Sequence, residues 1–120
     1  MLPPIHLQRY QKLLTLLEQL QQSATAPNFE GTDLKKDFQK VQQFFQNQVM
    51  TLTSEELDPE VAARWQSLQT EIHRSLRLLQ TDVMFLQASR QATTSQQRQA
   101  RLCDRVEQLI GYVKALLEQT

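Results

Sequence analysis

The chain has few of the residues that make turns and cross-links: two glycines, four prolines and one cysteine. Turn-rich β folds need Gly and Pro at many of their connections, so this scarcity argues against a sandwich or barrel. A lone Cys103 cannot close an internal disulfide, and beside a helical seam it reads as a small buried hydrophobe, not a reactive thiol. Neither sign of charge is in excess, with 13 Lys plus Arg against 13 Asp plus Glu. A zero balance argues against a nucleic-acid binder that relies on a general positive field and leaves room only for local patches. No apolar run approaches the roughly 18 residues of a membrane span. The opening Met1-Leu2-Pro3-Pro4 lacks the basic flank and apolar core of a signal peptide. A cytoplasmic protein without a membrane span is the expectation.

What the chain does have is glutamine, 20 in 120 residues, set between apolar residues at helical spacing. Gln is a good helix former when exposed, and the sustained periodicity argues against a disordered Gln-rich tract. The first predicted helix covers about residues 4–24, where Tyr10, Leu13, Leu14, Leu17 and Leu20 keep the period and Leu16 widens the stripe. Pro27 ends it, because proline cannot continue a helix and disfavours helix at the residue before it; Phe29 is expected to tuck under the loop. The second covers about 33–50, capped by Thr32, with Leu34, Phe38, Val41, Phe45 and Val49 as its seam and Phe44 on the flank. An acidic linker follows, Glu55, Glu56, Asp58 and Glu60, read as a solvated helix entrance or as a docking point for a basic partner. Thr53 with Glu56 has capping-box spacing for a single turn there.

The third predicted helix is the longest, about 59–91. Asp58 is the expected cap and Pro59 suits the first helical position, where its missing N–H is not needed. Val61, Trp65, Leu68, Ile72, Leu76, Leu79, Val83 and Leu86 form one seam. The fourth covers about 95–118, with Thr94 and Gln97 at capping-box spacing. Leu102, Val106, Leu109, Val113 and Leu116 are its seam, widened by Cys103, Ile110 and Leu117. Gly111 interrupts it, and close approach of a neighbouring helix is the expected reason. Four amphipathic helices joined by short polar loops predict a single all-α domain over residues 1–120, an antiparallel four-helix bundle with a long third helix. Part of that helix should overhang, or helices 3 and 4 should splay into a projecting hairpin.

The usual catalytic patterns are missing. His6 and His73 lack a carboxylate or second histidine at metal-binding spacing and read as ordinary half-exposed residues. The Glu-x-x-His pattern of di-metal bundles fails, because position 70 is Thr and position 3 is Pro. There is no phosphate loop and no nucleophile elbow. No enzyme activity, cofactor or metal is expected. A helical enzyme of the chorismate-mutase kind would need Arg side chains facing inward, and Arg64, Arg74, Arg77 and Arg98 all fall off the seams.

Two surface features are left. Arg98, Arg101, Arg105 and Tyr112 flank the seam of helix 4; they read as a snorkelling flank or as an interface, where Arg and Tyr are enriched. Leu78 and Phe85 lie on the outer face of helix 3, nearly opposite Trp65 at 100° per residue, with Asp82 one turn along and Arg74 and Arg77 nearby. They read as a contact for a partner, for a second copy, or for another helix of the bundle.

Several segments carry a family resemblance. They are Arg9-Tyr10-Gln11 before Leu13-Leu14, the run Phe38-Gln39-Lys40-Val41-Gln42-Gln43-Phe44-Phe45-Gln46, and the Leu57-Asp58-Pro59-Glu60 entrance. To these are added Gln69-Thr70-Glu71-Ile72 leading to Leu76-Arg77-Leu78-Leu79, and Thr81-Asp82-Val83-Met84-Phe85-Leu86-Gln87-Ala88 with Arg90-Gln91. In these, over nearly the full chain, the sequence resembles the cyanobacterial heterocyst-frequency control (PatD) family. The resemblance implies a small cytoplasmic regulator in filamentous cyanobacteria that controls how often cells differentiate into heterocysts. It also implies a partner, the tubulin-like division GTPase FtsZ, whose assembly such a regulator would modulate. It carries over no binding residues. A structural adaptor or homodimerisation module of an unrelated pathway is the alternative.

Overall fold

The computed structural model describes residues 2–25, 31–89 and 91–118. Helix α1 spans Pro4–Thr25 and α2 spans Gly31–Phe44, running on into a π-helical turn at Phe45–Val49. Helix α3 spans Pro59–Ala88 and α4 spans Ala92–Leu117. No strand occurs among the described residues. The fold is an all-α bundle in which α1 packs on α2 and α4, and α3 packs on α4 and α2.

Side-chain bonds give the direction of each helix. Arg9 near the start of α1 donates to the Gln48 carbonyl at the end of the π turn, 2.9 Å. Gln69 in the first half of α3 donates to the Val49 carbonyl, 3.3 Å. At the other end, Gln99 near the start of α4 donates to the Ala24 carbonyl, 2.6 Å. Successive helices therefore run up, down, up and down. The seams read from the sequence form the core: Leu13, Leu17, Leu34, Val41, Ile72, Leu79, Val106 and Leu109 are all buried. Each such side chain contributes about 1.5–3 kcal/mol by leaving water.

The helix ends differ from the sequence expectations. Helix α3 stops at Ala88 and not at Gln91, with Ser89 in an extended conformation. Asp58 does sit at the cap position of α3, but its side chain makes no capping bond; its carbonyl accepts the Ala62 N–H, 2.7 Å. Thr32 and Thr94 fall inside their helices, because α2 begins at Gly31 and α4 at Ala92. The turn before α3 is closed by the Leu57 N–H on the Ser54 carbonyl, 3.0 Å, one residue later than the Thr53 spacing implied. Phe29 lies outside the described residues.

Two packing expectations are overturned. A Cβ built at Gly111 meets nothing within 4 Å, so no helix approaches there. Helices α3 and α4 do not project as a hairpin, since α4 packs on α1 nearly as extensively as on α3. The α2–α3 contact is the thinnest of the four helix–helix contacts. Part of it is the stack of Phe45 on His73, ring centroids 5.7 Å apart, in the first half of α3.

Candidate interface on the outer face of α3 and α4

The interior of the bundle holds a linked set of polar side chains. His6, expected half-exposed, is 4% exposed. Its Nε2–H donates to the Thr53 carbonyl at 3.0 Å, and its ring meets Trp65 edge-on at 5.5 Å. Trp65 Nε1–H donates to the Tyr10 hydroxyl at 2.8 Å, and that hydroxyl donates in turn to Gln69 Oε1. Burial pushes the Tyr10 phenol well above its usual range, while the Trp65 hydrogen bond pulls the other way. This chain of bonds ties α1 to α3 across the core.

Cys103 is half-buried against the Ala24 carbonyl, 3.7 Å from its sulfur. Burial first, then Asp104 and Glu107, push its thiol up and away from the reactive thiolate. Among the described residues, no cluster of three His, Cys, Asp or Glu could hold a metal ion. No helix is long and apolar enough to cross a membrane, again among the described residues.

The outer face is different. Leu78 is 40% exposed and Phe85 is 52% exposed, both looking outward. Asp82, expected beside them, does not: it is only 8% exposed. Asp82 precedes the seam residue Val83 and lies about 40° round the helix from buried Leu86, so it faces α4. There the Arg105 Nε–H donates to Asp82 Oδ2 at 3.1 Å. Arg105 likewise precedes a seam residue, Val106. Two opposite charges, each one step before a seam residue on adjacent helices, are the signal that could have found this pair from the sequence. Ser75, one heptad before Asp82, is buried in the same row.

Arg98 reaches back across the loop. Its Nη1 donates to the Phe85 carbonyl at 2.6 Å and to Ser89 Oγ at 3.0 Å. Its guanidinium stands over the Phe85 ring, 5.3 Å from the centroid, a cation–π contact. Tyr112 is half-buried and its hydroxyl accepts from Gln108 Nε2 at 3.2 Å. It borders a depression of about 270 Å³ shared with Arg74, Leu78 and Arg105. Arg101 is exposed and borders the next one, about 370 Å³, with Asp104 and Arg105.

The two features that looked separate in the sequence are thus one surface. Leu78, Arg101 and Tyr112 line its depressions, Arg98 and Phe85 stand against each other outside them, and the Asp82–Arg105 pair ties α3 to α4 there. The Arg-lined depression lies between the outer sides of α3 and α4 and not inside the bundle, where a dicarboxylate clamp of the chorismate-mutase kind would need it. The chain matches no family model, no curated protein and no solved structure.

Proposed function

We propose that the protein is a non-enzymatic regulator that works by binding another protein through the outer face of α3 and α4. One observation carries this reading. Two large apolar side chains, Leu78 and Phe85, stand in water a heptad apart, the first beside Arg74 and the second under Arg98, while the carboxylate between them is turned inward. Single exposed apolar residues are ordinary; an aromatic ring held under an arginine beside a second apolar residue has the composition of an interface hot spot.

The resemblance to the heterocyst-frequency control family supplies the partner. In that reading the protein is cytoplasmic, acts in filamentous cyanobacteria, and binds the division GTPase FtsZ, biasing its polymerisation by favouring one state over another. Sedimentation of FtsZ polymer, with and without saturating protein, tests this. A changed polymer fraction that Phe85→Ser abolishes supports it. Unchanged assembly at saturation removes the mechanism.

A second reading is a homodimer formed on the same face. The chain carries its own surface of opposite sign, the exposed Glu55, Glu56, Asp58 and Glu60 at the entrance of α3. Light scattering separates the two. A dimer mass that falls to a monomer in the Leu78→Ser/Phe85→Ser double variant favours self-association.

A further inference from the structure

The charge on this chain is balanced as a whole but not locally. Residues 72–103 contain five arginines, no lysine, no glutamate and a single aspartate. That aspartate is Asp82, buried and bonded to Arg105. The stretch therefore presents more positive than negative charge to solvent, the carboxylates that share its depressions being Glu71 and Asp104 just outside it. Arg74, Arg77 and Arg101 are exposed and Arg98 is half-buried. The ion pairs among the described residues are Asp37–Lys40 and Asp82–Arg105, so none of these four has a carboxylate partner there.

Apolar groups sit among these charges: Leu78 and Phe85 on one face, 40% and 52% exposed, with Met84 about 100° round the helix from Phe85. Three shallow depressions join through shared walls. Arg74 and Leu78 belong to both the first, of about 400 Å³, and the second. Arg105 and Gln108 belong to both the second and the third. The result is a continuous trough from the outer side of α3 onto α4.

Resting on the protein-binding reading above, we propose that the partner presents a short acidic amphipathic helix to this trough and to the Phe85–Arg98 pair beyond it on the same two helices. Leu78 and Phe85 are two helical turns apart, about 10 Å along α3. Apolar side chains at i and i+7 of a docked helix repeat that spacing. Asp or Glu on the flanks of that helix meets Arg74, Arg77, Arg98 and Arg101. A guanidinium bonds a carboxylate through two parallel N–H donors, which fixes orientation as well as charge. Arg98 is already held in place by Phe85 and Ser89 through Nη1, so it loses little freedom on docking.

Nucleic acid fits less well. It could stack a base on Phe85 but would leave Leu78 without an apolar contact, and Glu71 and Asp104 in the trough would repel its phosphates.

The probe is a dye-labelled synthetic helical peptide with Leu at i, i+4 and i+7 and Glu on both flanks. Its control is the same peptide with every Glu replaced by Gln. Anisotropy titrations at low salt should show the Glu peptide binding at least about tenfold more tightly. Arg74→Glu/Arg101→Glu should weaken it by about tenfold or more, and Phe85→Ser should weaken both peptides. Lys12→Glu on α1 should leave binding unchanged. Thermal melts confirm that each variant is folded. Equal binding of the two peptides, no effect of the Arg reversals, or no binding below about 1 mM overturns the proposal. Tighter binding to phosphatidylglycerol vesicles than to the Glu peptide overturns it in favour of a lipid surface. If Phe85→Ser abolishes the polymer effect while the two peptides bind alike, the partner chemistry is wrong and the protein-binding reading stands.

Discussion

Trp65 and Phe85 are the two largest aromatic side chains of α3, one near each end, and their surroundings differ. Trp65 is buried, its ring meets His6 edge-on, and its one donor is spent on Tyr10. Phe85 stands half in water with a guanidinium over its face. Around Trp65 the polar groups face one another, so that end uses most of its bonding capacity on itself, His6 Nδ1 alone among the described buried side-chain nitrogen and oxygen atoms having no partner. Around Phe85 the polar groups point outward, and arginine donors and apolar surface are left over. Similar ingredients, an aromatic ring with polar neighbours, make a core at one end and an unfilled interface at the other. What separates them is whether the neighbours are satisfied within the chain.

The strongest way to break this comparison is at the core end. Trp65→Ala should cost about 3–5 kcal/mol, read by chemical denaturation. A loss below about 1 kcal/mol would show that the Trp65 end is no more structural than the Phe85 end. Tyr10→Phe is gentler. It leaves Trp65 Nε1–H and Gln69 Oε1 unpaired in the core and should cost about 1–3 kcal/mol. It also carries a pH signature. Folded Tyr10 holds its proton above the usual tyrosine range, whereas the unfolded chain releases it near pH 10. The folded state then binds more protons, so stability falls as pH rises above about 10. The Tyr10→Phe protein should lack that part of the slope.

Asp82→Ala lies between the two ends in kind as in size. It strands the half-buried Arg105, at a cost of about 1–2 kcal/mol, held down by the water that Arg105 still reaches. Adding Arg105→Ala should recover part of the loss, and the double-mutant cycle measures the coupling. Phe85→Ser should cost under about 1 kcal/mol, mostly the contact with Arg98, while weakening partner binding. A large fall in melting temperature would place Phe85 with the core. Gly111→Ala is the smallest change and has the opposite sign. With open space for the added methyl group it should stabilise the protein by up to about 1 kcal/mol, with no effect on binding.

Much of the bundle was legible along the chain because burying an apolar stripe leaves a period of 3.6. The seams from Tyr10 to Leu20, Leu34 to Val49, Trp65 to Leu86 and Leu102 to Leu116 are the observed core. Helix ends were less legible, since Thr32, Thr94 and Asp58 offered capping side chains that the backbone does not use. The π turn at Phe45–Val49 left no mark, because the seam continues through it at ordinary spacing. Of the candidate interface, the exposure of Leu78 and Phe85 could be read from their angle on the helix. Their union with Arg98 and Tyr112 could not, because periodicity does not say which helix is whose neighbour.

By itself, then, the sequence determined the all-α class, the helix count and the identity of the buried seams, since each follows from local spacing and the paucity of Gly and Pro. The tertiary structure alone decided that α4 lies beside α3, that Arg105 is the group Asp82 meets, and that Arg98 closes over Phe85. These are contacts between residues 13 and 23 positions apart in the chain. They depend on how two helices face each other, and a pattern within one helix holds no information about that. Leu78 and Phe85 are therefore an outward apolar edge in the sequence, and in the fold Leu78 lines a trough shared with arginines while Phe85 lies under Arg98.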